Sequence, residues 1–409
     1  MGDEGAAAAS DTSGASGTRS ASGVAAGSQA PGPRFTGFLS SEDLNERGFT
    51  SLWTKQPSAM EGPSQSVSLL PDGIFAVTRP SPEKRSWSLV RYGTDNGLPQ
   101  WYYTLDEPLE HAPVTYRYPA GGVVARPDEV YILQKDMIRC LDLPNGSEMW
   151  RKQLPFPVSS GPVVDETQYY LGSYDRRIYA LTKVNSIERW LFVTGGEIRA
   201  PGTVGGTGEL YFASTDKSVV RLEPSTGWVN NRSWRFHTGG RLAGSPVFFS
   251  RWIFVGSTDF KLYCFEVDGT RAWDFPAQAS IEETPTVISF RPDKPLVLCI
   301  SKSERSGTPA RVGWAIDAKT GKEVWRRENV SKVVGVGRKA IYVLVKDPGG
   351  PQKIVAVDAL QGGDLFSIPM GSFDWALTND ADHGMNSRAR GILYLASRTG
   401  AIQAIREKP

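Results

Sequence analysis

The chain has 409 residues, with 46 Lys and Arg against 44 Asp and Glu and a formal net charge of +2. That balance leaves no electrostatic footprint for nucleic acid, and no apolar run approaches the ~18 residues a membrane-spanning helix requires. With 43 Gly, 28 Pro and 12 Trp, the composition suits a turn-rich β protein long enough to bury a large core.

The N-terminal segment is a different material. Positions 1–33 hold seven Gly, nine Ala and six Ser, and no aromatic residue precedes Phe35. Such a segment has too little apolar surface to offset the entropy lost on ordering. Residues 1–45 therefore read as a disordered tail or linker and 46–409 as one repeat domain. The start shows no basic stretch followed by an apolar core, the mark of a secretory signal, and the first cysteine is Cys140.

From there on a bulky aromatic returns about every 45 residues, at Trp53, Trp101, Trp150, Trp190, Trp234, Trp273, Trp325 and Phe366. In the clearest copy Ala315 stands ten positions before Trp325, with Thr320-Gly321 between them. Arg91 leads through Asn96-Gly97 to Trp101, Cys140 through Asn145-Gly146 to Trp150, Ala180 through Asn185-Ser186 to Trp190, and Ala356 through Gln361-Gly362 to Phe366. Two copies are off register: Cys264 reaches Trp273 one residue early and Arg221 reaches Trp234 three residues late.

Each spacing has a physical reason. Asn-Gly or Thr-Gly between apolar runs supplies a residue that tolerates positive φ, so a short hairpin can close. The residues before it alternate, as over 177–181, with the period of a strand. Upstream lies another apolar run (130–133, 169–171, 210–213, 253–256, 341–343, 393–396), often followed by a turn Asp such as Asp136, Asp175, Asp216 or Asp259. Before that run comes a strand start marked by Pro113, Pro162, Pro246 or Pro285. One unit is thus four short antiparallel strands joined by tight turns, a propeller blade. Trp53 belongs to an outer strand with nothing before it, while the last unit ends at Pro409 without its aromatic. The two fit together as an eight-bladed all-β propeller closed by the N-terminal outer strand, which removes the exposed sheet edge; seven blades is the alternative.

The unit from Ala315 to Trp325 resembles the quinoprotein-type (PQQ-like) repeat, in which the Trp docks against the neighbouring blade. The resemblance covers roughly residues 50–409 and is nearest to the outer-membrane assembly factors of the BamB type and their non-enzymatic relatives. WD repeats fit poorly, since only Trp273 is followed by Asp. The resemblance implies a monomeric, non-catalytic scaffold of the periplasm or cell envelope, with outer-membrane β-barrel assembly components as protein partners and no cofactor. The missing signal and lipoprotein cysteine depart from that pattern. Quinone-dependent dehydrogenases with related repeats are the alternative, a propeller using its central channel for a small ligand. Those enzymes carry adjacent cysteines and a calcium site, and this chain has no adjacent cysteines.

No catalytic, cofactor or metal residue stands out. Cys140 and Cys264 occupy the slot that Ala180, Ala315 and Ala356 fill elsewhere, and Cys299 sits in an apolar run; all three read as packing residues. His237 reads as a loop residue. The oxygen-rich stretch 379–384, which contains His383, lacks the ligand spacing of a calcium loop and reads as solvated. His111, Arg199 and Glu283 each stand two residues before the proline that starts an innermost strand. They are the candidate contacts at one mouth of the channel, against the plainer reading that mixed charges there are simply hydrated.

Overall fold

The computed structural model describes residues 19–20, 34–80, 86–119, 126–291, 294–304, 310–338, 340–378 and 391–408. Its strands form eight antiparallel sheets. Seven are built from consecutive strands: blade 1 from Ser64–Leu70 to Pro99–Leu105, blade 2 from Val114–Tyr116 to Glu148–Gln153, blade 3 from Val163–Val164 to Glu188–Val193, and blade 4 from Thr203–Val204 to Trp234–His237. Blade 5 runs from Val247–Phe249 to Arg271–Pro276, blade 6 from Thr286–Arg291 to Glu323–Glu328, and blade 7 from Val330–Val336 to Asp364–Pro369. Blade 8 joins Trp375–Leu377, Ile392–Ala396 and Ile402–Glu407 to the N-terminal strand Phe49–Lys55. The chain is therefore an eight-bladed propeller whose ring closes between its two ends.

Burial explains the two sequence patterns. Second strands such as Glu129–Gln134 and Gln168–Gly172 are buried along their whole length, because both faces lie under neighbouring blades; they read as unbroken apolar runs. Outer strands such as Glu323–Glu328 alternate between covered and exposed residues, which is the pattern of a strand with one wet face.

The ten-residue spacing is a ladder register. The small residue is the cross-strand partner of the aromatic in blade after blade: Cys140 faces Trp150, Ala180 faces Trp190, Ala315 faces Trp325, Ala356 faces Phe366 and Ala404 faces Trp53. The off-register copies obey the same rule, with Cys264 opposite Trp273 and Arg221 opposite Trp234, so their length differences fall in the turn and leave the pairing intact. Six of the repeat indoles then donate forward. Trp53 donates from Nε1 to the Thr94 carbonyl at 3.0 Å, Trp101 to Leu143 at 2.9 Å, Trp190 to Pro224 at 2.7 Å and Trp325 to Ala359 at 3.0 Å, each acceptor lying in the next blade. The turn glycine lets the ring come close. Gly97 has φ +68°, and a Cβ there would lie 2.4 Å from the Trp53 ring; Gly321 has φ +70° and would meet Trp273 at 2.6 Å. Neither position tolerates a side chain, on backbone or on contact grounds.

The proposed tail boundary at residue 45 lies too late. Phe35, Phe38 and Leu39 pack against the core shared by blades 7 and 8, and Leu44 is buried in it. Ser40 accepts from the Asp43 N–H at 3.1 Å and caps a short helix, Ser41–Glu46, the one helix among the described residues. Gln403 in blade 8 clamps Leu39 from both sides, accepting its N–H at 2.9 Å and donating to its carbonyl at 3.0 Å. The aromatic and Leu side chains after Arg34 supply the apolar surface that the Gly, Ala and Ser before it lack. Apart from Arg19–Ser20, which pair with the outer strand of blade 1, positions 1–33 lie outside the described residues.

Candidate functional site

The innermost strands stand side by side around the axis, and their proline starts crowd one end of it. A Cβ on Gly161 would lie 3.4 Å from His111 and 3.5 Å from Pro201, linking blades 2, 3 and 4. Ser245 donates its N–H to Thr284 Oγ1 at 2.9 Å, linking blades 5 and 6. Between blades 2 and 4 the wall opens into a cavity of about 570 Å³, whose side-chain polar groups are Glu110, His111 and Thr203 among Pro, Gly and Val. Burial holds the His111 imidazole below its ordinary pKa, against the opposing pull of Glu110, so the ring is neutral at neutral pH and can donate from one nitrogen and accept at the other.

The three mouth residues do not converge. Arg199 turns to Glu197, Nε to Oε2 at 2.7 Å, and half of its side chain is exposed. Glu283 is taken by Arg311 at 2.6 Å, which also donates to the Ser331 carbonyl at 2.9 Å; it borders a separate cavity of about 200 Å³ with Lys332 and Cys299. His111 alone lines the larger cavity. His237 ends the outer strand of blade 4 and is exposed, and His383 with its oxygen-rich neighbours lies outside the described residues. Cys140, Cys264 and Cys299 are free and buried, and burial pushes each thiol well above its ordinary pKa. Among the described residues no three His, Cys, Asp or Glu side chains are grouped to hold a metal ion. No helix among them is long and apolar enough to cross a membrane.

One charged cluster lies where the sequence reading placed nothing. Between blades 2 and 3, Lys183 Nζ sits 3.0 Å from Glu129 Oε2 and 3.2 Å from the Tyr118 hydroxyl, and 3.6 Å above the centre of the Tyr116 ring. Tyr131 donates to the same carboxylate at 2.9 Å. The ammonium and carboxylate side chains are 3% and 8% exposed, so this is a desolvated ion pair with an aromatic wall. Burial lowers the Lys183 pKa while Glu129 pulls the other way. The signal was present in the repeat. Lys183 fills the slot three residues after the small residue, where blade 2 has Leu143, blade 6 Ala318 and blade 7 Ala359, all buried. A Lys in an apolar slot demands a partner.

Residues 42–232 and 216–375 match the PQQ_2 family model, described as outer membrane protein assembly factor BamB. BamB of Nitrosomonas eutropha (strain DSM 101675 / C91 / Nm57) is 25% identical over 189 residues, which make up 45% of this chain and 40% of that relative; the match thus spans less than half of the curated relative. The crystal structure of BamB from Moraxella catarrhalis is similar with a TM-score of 0.59 at 16% identity, over 88% of this chain and 97% of that one. The quinohemoprotein alcohol dehydrogenase ADHIIG from Pseudomonas putida HK5 gives 0.57 at 10% identity, over 88% and 76%. A europium-containing methanol dehydrogenase gives 0.59 at 10%, over 90% and 94%. At such identities the solved structures share the fold alone. The family model, in contrast, spans most of the chain, and with the eight blades, seven carrying a docking Trp and one Phe366, it shows that this chain belongs to the BamB family of PQQ-like repeat propellers.

Proposed function

We propose that the chain is a non-catalytic scaffold that binds a protein partner during outer-membrane protein assembly, acting as a monomer in the cell envelope. The family match supports the process. The observation that carries the scaffold reading is the dispersal of the mouth residues: Arg199 and Glu283 are engaged in local ion pairs, and His111 faces a cavity walled mainly by Pro, Gly and Val. Affinity capture with the full chain from native envelope fractions, followed by mass spectrometry, tests it. Recovery of β-barrel assembly components supports the reading, and their consistent absence with a folded bait overturns it.

The second reading is a channel that takes a small ligand, in the extreme a quinone cofactor, and its support is the shared fold with two dehydrogenases. The described residues do not fit a quinone with calcium. The His111 cavity offers one carboxylate, Glu110, where calcium takes ~6–8 oxygen ligands, and the three cysteines lie apart in three different blades.

A further inference from the structure

We propose that the cavity between blades 6 and 7, at the wall of the channel, binds a short-chain aliphatic monocarboxylate through Lys332, Thr284 and Thr286. The site is additional to the scaffold reading and stands without it.

The channel wall is almost free of charge. Over the eight innermost strands the only Lys, Arg, Asp or Glu residues are Lys332 in blade 7 and Arg291, the last residue of its strand in blade 6. Lys332 pairs across the ladder with Leu344, at the register where Ser66 of blade 1 meets Val77 and Trp375 of blade 8 meets Ala396. It forms no ion pair among the described residues, and the carboxylate that shares its cavity, Glu283, is already held by Arg311 at 2.6 Å. Lys332 keeps contact with water, yet the crowding walls hold its ammonium below its ordinary pKa, with Glu283 pulling the other way. A cation so placed gains by taking an anion.

The rest of the cavity selects among anions. Its volume is about 200 Å³, below the ~300–1,000 Å³ that drug-sized ligands occupy and so too small for a fused-ring quinone. Thr284 Oγ1 already accepts the Ser245 N–H at 2.9 Å, which leaves its own proton free to point at a ligand. The Thr286 side chain makes no hydrogen bond among the described residues. With Lys332 these hydroxyls offer three donors, and the one carboxylate present is taken, so a group rich in acceptors fits. Leu298, Cys299, Ile300 and Val333 supply an apolar floor, which suits methylene groups and leaves the far side of an inorganic oxyanion without partners. One ammonium balances one negative charge; a second would face Glu283. Charge, donors and floor together fit a single carboxylate at the end of a short aliphatic chain.

The test is saturation-transfer NMR of sodium butyrate titrated into the full chain, with succinate and inorganic phosphate as competitors. Butyrate should bind saturably with a dissociation constant on the order of 1 mM, and either competitor should displace it only at about ten-fold higher concentration or more. K332Q removes a charge-assisted bond and should weaken butyrate at least about ten-fold, and T286V about five-fold, both with an unchanged melting temperature. K346Q, which removes an exposed charge of the same blade outside the cavity, should bind as the parent does. No saturable butyrate signal, displacement by succinate or phosphate at equal concentration, unchanged binding in K332Q, or an equal loss in K346Q overturns the proposal. Capture of assembly components by K332Q at the parent's level, with butyrate binding lost, supports the site and leaves the scaffold reading standing. Loss of capture together with butyrate binding assigns Lys332 to the protein partner and overturns the ligand site. Butyrate binding as expected without any captured component supports the site and overturns the assembly role.

Discussion

Replacing Trp53 with Ala removes the residue that joins the two ends of the ring. Trp53 lies in the N-terminal strand, faces Ala404 of the last strand, and reaches forward to the Thr94 carbonyl and the Gly97 turn in blade 1. A tryptophan buries ~150–250 Å² when fully covered, worth roughly 4–6 kcal/mol at ~25 cal/mol per Å². Trp53 has most of its surface covered, so roughly three-quarters of that, ~3–4 kcal/mol, is lost, and the indole hydrogen bond adds about 1 kcal/mol. The expected loss is ~4–5 kcal/mol, within the ~3–5 kcal/mol range for a large aromatic cut to Ala. Trp101, fully buried and bonded to the Leu143 carbonyl, should lose more, toward ~5 kcal/mol. Urea unfolding by linear extrapolation measures both. In Trp53→Ala, amide exchange should also accelerate first over 49–55 and 402–407, the strands that the latch holds. A loss below about 1 kcal/mol, or exchange that speeds up evenly around the ring, would refute the closure argument.

Other outcomes follow from the buried groups. Lys183→Met leaves the Glu129 carboxylate buried without its counter-ion and should cost ~3–5 kcal/mol in urea unfolding, while Lys183→Met/Glu129→Gln should recover most of it; a single variant as stable as the parent contradicts the ion-pair reading. The thiols of Cys140, Cys264 and Cys299 are buried and held protonated, so Ellman's reagent should find none in the native chain and all three after denaturation. His111 has a folded pKa below its unfolded value, so the unfolded chain takes the proton more readily. Its contribution is present above about pH 6.5 and is lost as pH falls toward the lowered folded value. The melting curve of His111→Gln should fall less steeply with pH across that window, and parallel curves would show that His111 is not the titrating group.

Most of the architecture was legible because docking constrains three residues at once. An aromatic on the outer strand is met by a small ladder partner and by a positive-φ turn in the next blade, glycine in most blades and Ser186 in blade 3, and these recur at near-fixed distances along the chain. Even the exceptions Arg91 and Arg221 are accommodated by geometry. The Arg91 guanidinium runs out to the Leu143 carbonyl at 2.7 Å and the Asp72 carbonyl at 2.6 Å, so its bulk leaves the ladder. The ordered segment after Arg34 was less legible. Phe35, Phe38 and Leu39 have no repeat period, and the core that receives them belongs to the last two blades, at the opposite end of the chain. His111, Arg199 and Glu283 lie shortly before the innermost strands, and the side-chain directions of Arg199 and Glu283 depend on the local partners Glu197 and Arg311, which position in a repeat does not encode. Lys183 and Glu129 meet across two blades, and only comparison of equivalent slots reveals that the Lys is anomalous.

The claim that this propeller works as a scaffold and not as a quinoprotein is tested most directly by isothermal titration of the full chain with pyrroloquinoline quinone in the presence of calcium. The account predicts no saturable heat, with absorbance of the quinone unchanged on mixing. Stoichiometric, saturable binding accompanied by alcohol-dependent dye reduction would contradict it.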